Sequence, residues 1–196
     1  LANLAAAFAK LDMTVVMVEA DMRRPTFHTR FDVPDSTGLS ELLRETATID
    51  DVVVPSGVPN LTLITAGGGV TNPSELLQGA SFDRILTSLK ERYQLVIVDV
   101  GPVLAVSDSI IVGQKSDGML LVVRSANDTR QQVTEAVETL RAAKTRLLGC
   151  VVNTYGSGEG FERRGYSGYY TSGRVEKNAD AVAAGIKASR KGLKNL

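Results

Sequence analysis

The sequence predicts a doubly wound, mostly parallel α/β fold, and three observations carry that expectation. Four short runs are rich in Val and Leu: Thr14 to Glu19 (TVVMVE), Leu95 to Asp99 (LVIVD), Gly118 to Val123 (GMLLVV) and Leu147 to Val152 (LLGCVV). Continuous apolar runs of this length suit strands buried on both faces of a parallel sheet. Amphipathic stretches lie between them. In one, Thr129 to Lys144, the residues Val133, Ala136, Val137, Leu140 and Ala143 share a helical face. Finally, two of the runs end in acids. Glu19 and Asp21 close the first, and Asp99 closes the second. Open α/β sheets bind their ligands outside the carboxyl ends of the strands. Carboxylates gathered there repel one another and lose hydration unless a metal or a proton relay uses them.

The elements follow in order. The chain opens inside a helix, with Leu1, Leu4, Ala5, Phe8 and Leu11 at helical spacing. A helix running straight into a buried strand is half of a βαβ unit. The expectation is therefore a fragment whose first strand and following turn precede Leu1. Pro34 to Gly38 is a turn cluster, and Ser40 to Glu45 a short helix. Ile49 to Val54 is ambiguous, and Leu61 to Thr65 reads as a short strand. Gly67, Gly68 and Gly69 follow. No Gly-Lys-Ser/Thr comes after them, so a flexible loop is expected there and not a phosphate cradle. Asn72-Pro73 starts a helix with Pro near its first position, and Ser81 to Tyr93 forms another. After the strand ending at Asp99 comes Gly101-Pro102, then a mostly apolar segment through Val112 that carries Asp108. The last strand ends at Asn153.

Composition narrows the classes. At 196 residues with 43% hydrophobic and 22% charged content, one soluble globular core is expected. A net charge of zero gives no field that draws the molecule to nucleic acid. No run reaches the length of a membrane span, and no signal peptide is visible. Cys150, the only cysteine, lies in an apolar run and is expected to be a small core residue. It cannot form an intramolecular disulfide, which fits a reducing cytosol. The single histidine, His28, excludes a His-rich metal site.

Two parts are expected: an α/β domain over 1–154 and a tail over 155–196. Between Gly156 and Gly173 there are six glycines, and Tyr166, Tyr169 and Tyr170 lie among them. Apolar periodicity vanishes, so a flexible tail is expected. It reads either as a linker without chemistry or as exposed phenols offered to an enzyme. From Tyr155 onward eight Lys or Arg face four acids, leaving +4 on the tail and −4 on the body.

These residues carry a family resemblance. VVMVEADMRRP resembles the Walker A′ motif of the bacterial tyrosine kinases (BY-kinases) of capsule and exopolysaccharide systems, and LVIVDVGPVLAVSD resembles their Walker B segment. LSELL, NPSELL and the tyrosine-rich tail follow the same order. The resemblance covers residues 1 to about 174 and implies a P-loop NTPase-like fold of the deviant Walker group. It implies ATP and Mg²⁺ as cofactors, with Asp99 and Asp21 as metal acids and Glu19, in a position usually held by Asp, as a candidate base. Asn153 matches a position near the adenine; as a residue it reads equally well as a strand-end turn. Tyr166, Tyr169 and Tyr170 would be phosphoacceptors. The implied partners are a membrane-spanning polysaccharide co-polymerase or activator domain, further copies in a ring, and a tyrosine phosphatase. The implied location is the inner face of the cell membrane. Two departures stand out. The Walker A loop would precede Leu1, so the chain alone is expected to be inactive while the intact parent is active. The usual Thr-Pro-Pro after the Walker B acid is Val100-Gly101-Pro102. A partition-type nucleotide-switch ATPase and a non-catalytic regulatory module remain as alternatives. Iron–sulfur carriers of the same superfamily would need paired cysteines.

Overall fold

A computed structural model describes residues 1–153. Helix α1 (Ala2–Ala9) leads into strand β1 (Val15–Glu19). Three short helices follow: α2 (Phe27–Phe31), α3 (Leu39–Leu43) and α4 (Ile49–Val52). Next come β2 (Val53–Pro55), β3 (Leu61–Ile64), α5 (Pro73–Gln78), α6 (Ala80–Arg92) and β4 (Leu95–Asp99). The chain continues through α7 (Asp108–Lys115), β5 (Met119–Arg124), α8 (Arg130–Ala142) and β6 (Leu147–Asn153). The expected tail and its tyrosines Tyr166, Tyr169 and Tyr170 lie outside the described residues.

The strands form two sheets. One has the order β2-β3-β1-β4, and the other pairs β5 with β6. β1 is parallel to both β3 and β4, with Val18 beside Ile64 and Val98, and Glu19 beside Asp99. β5 and β6 are also parallel. Among the described residues only β2 runs antiparallel, on β3. The expected mostly parallel sheet is thus present, but divided: among the described residues β4 and β5 each pair along one edge only.

β1 is the centre of the core, and all five of its residues are buried. Its alternating side chains feed two clusters. Val16 and Val18 pack with Leu39, Leu42, Leu77, Phe82, Leu86 and Leu89 from α3, α5 and α6. On the opposite face, Val15 and Met17 pack with Ala5, Ala9, Phe27, Leu61 and Leu63. A strand covered on both faces needs no polar alternation, which is why its sequence is a continuous apolar run. α8 is anchored at its start by a reciprocal cap: Gln132 N–H donates to Thr129 Oγ1 at 3.3 Å, and Thr129 N–H donates to Gln132 Oε1 at 2.9 Å.

Burial on α1 and β6 differs from the apolar pattern of their sequences. In α1 the buried positions are Ala5 and Ala9, whereas Leu1, Leu4 and Leu11 are exposed. The helix lies close to the sheet on its small residues, and its leucines face outward. Cys150 is exposed as well. It lies on β6, where Leu148, Val151 and Val152 are also exposed among the described residues.

The glycine triplet departs from the expected flexible loop. Gly67 N–H donates to Asp35 Oδ1 at 3.2 Å, and Gly68 N–H to Glu41 Oε1 at 3.3 Å. Arg44 donates to the Gly69 carbonyl at 3.1 Å. Gly67 has φ +80°, a conformation that glycine adopts at no steric cost. Glu41 holds this turn from beneath. Burial pushes its carboxyl up, but the Ser40 hydroxyl and the Gly38 and Gly68 N–H groups outweigh burial and hold it below the usual range. Glycine composition signals mobility only where nothing donates to or accepts from the backbone, and here three side chains do.

Candidate functional site

The carboxyl ends of β1 and β4 lie side by side, in register at Glu19 and Asp99. Ala20 N–H donates to the Asp99 carbonyl at 2.8 Å, so pairing runs one residue past β1 before the chain turns away. The turn is closed locally, with Arg24 N–H donating to Asp21 Oδ1 at 3.1 Å. A cleft of about 1040 Å³ opens beyond these ends. Asp21, Arg23, Arg24, Arg30 and Asp99 line it, together with the Val100–Leu104 segment and the facing strand β5. Gly101 brings the two acid loops together: a Cβ built there would lie 3.4 Å from Asp21 Oδ2.

Asp99 carries the electrostatic signature of the site. Burial, then the neighbouring Glu19 and Asp21, push its carboxyl up to about 6, and Arg30 pulls it back only in part. A half-buried acid in a cleft, shifted by desolvation and by a second acid, marks a functional-site candidate. It is also where a cation would be favourable, because a positive charge removes the penalty on both carboxylates. Among the described residues no group of three or more metal-ligating side chains forms. Mg²⁺ is a cation that proteins commonly bind through one or two carboxylates, with its remaining oxygens from water and phosphate.

The structure brings Asp21 and Asp99 into one cleft, as expected, but places Glu19 differently. Glu19 is 1% exposed and does not line the cleft. Its Oε1 accepts the N–H groups of Thr26 and of Phe27, the latter at 2.8 Å, and its Oε2 accepts that of Ala66 at 3.2 Å. Burial raises its pKa despite these donors. The carboxylate ties the start of α2 to the end of β3, a role no motif at the sequence level distinguishes from that of a base. Glu19→Ala should therefore cost about 2–4 kcal/mol by leaving buried N–H groups unpaired. Urea unfolding measures this directly, and a cost under 0.5 kcal/mol would contradict the assignment. Asn153 also falls outside the cleft: it is exposed, beside Arg124 in the β5–β6 register.

Sequence reading missed Asp108 and Ser109 as part of this region. Ser109 Oγ donates to the Gly101 carbonyl at 2.6 Å, and Asp108 pairs with Arg23 at 2.8 Å. The available signal was a buried-looking helix start, SDSII, that spends an acid and a hydroxyl where apolar residues would be expected.

The mostly parallel α/β fold is P-loop NTPase-like, and residues 1–149 match the family described as an AAA domain. The chain belongs to the bacterial tyrosine-protein kinase family. It is 34% identical over 169 residues to the tyrosine-protein kinase YwqD of Bacillus subtilis (strain 168), covering 86% of this chain and 70% of that relative. It is 36% identical to the tyrosine-protein kinase etk of Escherichia coli (strain K12), covering 77% of this chain but only 21% of the relative. The solved kinase domain of the Escherichia coli tyrosine kinase ETK superposes with a TM-score of 0.75 at 33% identity, covering 82% of this chain and 64% of that one. The septum site-determining protein MinD from Pyrococcus horikoshii OT3, complexed with Mg-ADP, shares the fold at a TM-score of 0.63 and 18% identity, covering 80% and 64%. No helix among the described residues is long and apolar enough to cross a membrane.

Proposed function

We propose that this chain is the acid-bearing part of an ATP- and Mg²⁺-dependent protein-tyrosine autokinase that regulates capsular or exopolysaccharide synthesis. The observation that carries the reading is the placement of Asp21 and Asp99 on neighbouring loops of one cleft. Asp99 and Asp21 would hold Mg²⁺, which neutralises phosphate oxygens and orients the transferred group. Arg24 and Arg30 line the same cleft and supply positive charge toward phosphate. In the reaction, a tyrosine oxygen forms a bond to the γ-phosphorus, the bond to the β–γ bridging oxygen breaks, and ADP leaves. The phenolic proton passes to a carboxylate, and Asp21 is the cleft-facing candidate. Little base strength is needed because the transition state of phosphoryl transfer is loose. Glu19 serves by holding the loop that carries Asp21.

The tail tyrosines Tyr166, Tyr169 and Tyr170 are the proposed acceptors, phosphorylated by a neighbouring copy in a ring. Each phosphate adds about −1.5 to −2 charges, so three would reverse the +4 of the tail and weaken contact with its neighbours. A tyrosine phosphatase would reset the system. The partner implied on the membrane side is a polysaccharide co-polymerase or activator domain, fused or separate, which would place the chain at the inner face of the membrane. Relatives of which this chain covers 21–25% leave room for such a domain. The test mixes full-length protein carrying Asp99→Asn with full-length protein whose three tail tyrosines are Phe. Tail phosphate on the first protein, read by mass spectrometry, is the expected result. Its absence, with normal labelling of the wild type, would mean transfer within one chain. Phosphate confined to Tyr93 would remove the tail from the mechanism.

A further inference from the structure

We infer that Arg23, Ser74 and Asp108 form a clamp that positions the Asp21 and Asp99 loops relative to each other and so sets the affinity of the site for its metal. The inference rests on the reading of Asp21 and Asp99 as the metal acids. Asp108 stands at the first turn of α7 and is 1% exposed. Its Oδ2 accepts Arg23 Nε at 2.8 Å, and its Oδ1 accepts Arg23 Nη2 at 3.3 Å. This is the two-bond fork of a guanidinium on a carboxylate. Ser74 Oγ donates to Asp108 Oδ1 and accepts Arg23 Nη2 at 3.0 Å. Ser107 Oγ lies 3.2 Å from Ser74 Oγ.

The clamp joins three separate parts of the chain. Arg23 is two residues beyond Asp21, on the loop leaving β1. Ser74 is in the first turn of α5. Asp108 starts the helix that receives the loop leaving Asp99. Next to it, Ser109 fixes the Gly101 carbonyl at 2.6 Å, and Gly101 is the residue against which the Asp21 carboxylate rests. The two acid loops are therefore fastened at their far ends by Arg23–Asp108, and in the middle by Gly101 against Asp21. A buried carboxylate would be costly without partners, and here both of its oxygens are engaged. Two carboxylates that share a small cation need fixed spacing, and groups that orient ligands commonly change metal affinity tenfold or more when removed.

The experiment measures Mg²⁺ binding to the full-length protein directly by calorimetry, and in parallel the autophosphorylation rate against Mg²⁺ concentration at saturating ATP and the unfolding midpoints. Asp108→Asn keeps the size of the side chain but removes its charge. Arg23→Lys keeps the charge but cannot form the fork. Both should raise the half-saturating Mg²⁺ concentration about tenfold, while Ser74→Thr, which keeps the hydroxyl, should match the wild type. A merely structural role would lower the rate equally at every Mg²⁺ concentration and leave half-saturation in place. Unchanged half-saturation in both Asp108→Asn and Arg23→Lys overturns the inference; if Asp108→Asn fails to fold, Arg23→Lys decides alone. Asp99→Asn runs alongside. If it abolishes activity while the clamp variants keep wild-type half-saturation, the metal reading stands and the clamp is wrong. If Asp99→Asn leaves rate and Mg²⁺ dependence intact, both are wrong.

Discussion

Asp99→Asn is expected to make the protein more stable and catalytically dead. Burial and the adjacent Glu19 push the Asp99 carboxyl up to about 6, from 3.8. The folded state thus holds a proton at this site more tightly than the unfolded chain does. Below pH 3.8 both states are protonated and the site costs nothing. Between 3.8 and about 6 the unfolded chain ionises first, and stability falls as pH rises. Above about 6 the full cost is present, roughly 3 kcal/mol at 1.36 kcal/mol per pKa unit. Asparagine never ionises. At pH 8 without Mg²⁺ the variant should be about 2 kcal/mol more stable than the wild type, raising Tm by about 4–8 °C. The advantage should shrink toward zero as pH falls to about 4. Autophosphorylation in the full-length protein should drop on the order of 10³-fold, as expected when a metal worth several kcal/mol in the transition state loses a carboxylate. Mg²⁺ should narrow the stability gap, because it binds only the wild-type folded form well. Thermal unfolding at pH 8 and pH 4 reads the sign. A less stable Asp99→Asn at pH 8 would show that the ionised carboxylate is compensated in a way its surroundings do not reveal.

The same stretch shows how far the sequence could be read. The apolar runs located β1, β4, β5 and β6 within a residue or two; for β1 the reason is that a strand buried on both faces has nothing to alternate with, whereas β5 and β6 keep an apolar run although many of their residues are exposed. The acids at the ends of β1 and β4 were legible for the same reason: a charge at the edge of an apolar run marks where burial stops. What could not be read was direction. Glu19 and Asp21 are two residues apart, and a regular strand would send both to one face. The chain leaves the strand after Ala20, so Asp21 enters the cleft while Glu19 turns inward to the N–H groups of Thr26, Phe27 and Ala66. Contacts between distant segments were also invisible. Asp108 meets Arg23 across 85 positions, and Glu41 meets Gly68 across 27. Nothing local in SDSII or in AGGGV announces either partner. Hydrophobic spacing likewise fixed α1 as a helix and placed Ala5 and Phe8 on its packed side, but the leucines it grouped with them, Leu1, Leu4 and Leu11, are exposed.

Gly38→Ala is expected to be among the most destabilising single-methyl additions in the described residues, although nothing in the backbone angle of Gly38 demands glycine. Its φ of −167° is extended and open to any residue. The constraint is space. A Cβ at Gly38 would lie 2.8 Å from the Thr65 carbonyl carbon, closer still to that carbonyl oxygen, and 2.6 Å from the Gly67 nitrogen. All three are backbone atoms that cannot swing aside. They are close because α3 docks its first turn on the end of β3: Leu39 N–H donates to the Thr65 carbonyl at 2.8 Å, and Ser40 N–H to the Ala66 carbonyl at 3.0 Å. To admit the methyl group, α3 must lift. That strains both hydrogen bonds, shifts Glu41 away from Gly68, and opens the packing of Leu39, Leu42 and Leu43 against Val16 and Val18. Overpacking against rigid backbone costs about 1–3 kcal/mol by itself, and the lost hydrogen bonds add about 1 kcal/mol each. A total of at least about 3 kcal/mol follows, or a fall in Tm of about 6–12 °C. Two neighbouring glycines calibrate the result. Gly67→Ala should cost about as much, because its Cβ would lie 2.8 Å from the Gly38 backbone nitrogen and against the Glu41 and Ser40 side chains, on top of about 1–2 kcal/mol for the left-handed backbone. Gly69→Ala meets nothing within 4 Å and should fall within about 0.5 kcal/mol of the wild type. Urea unfolding of the three variants tests the order. A Gly38→Ala protein within 1 kcal/mol of the wild type would mean that α3 is not seated on β3 as closely as these contacts require.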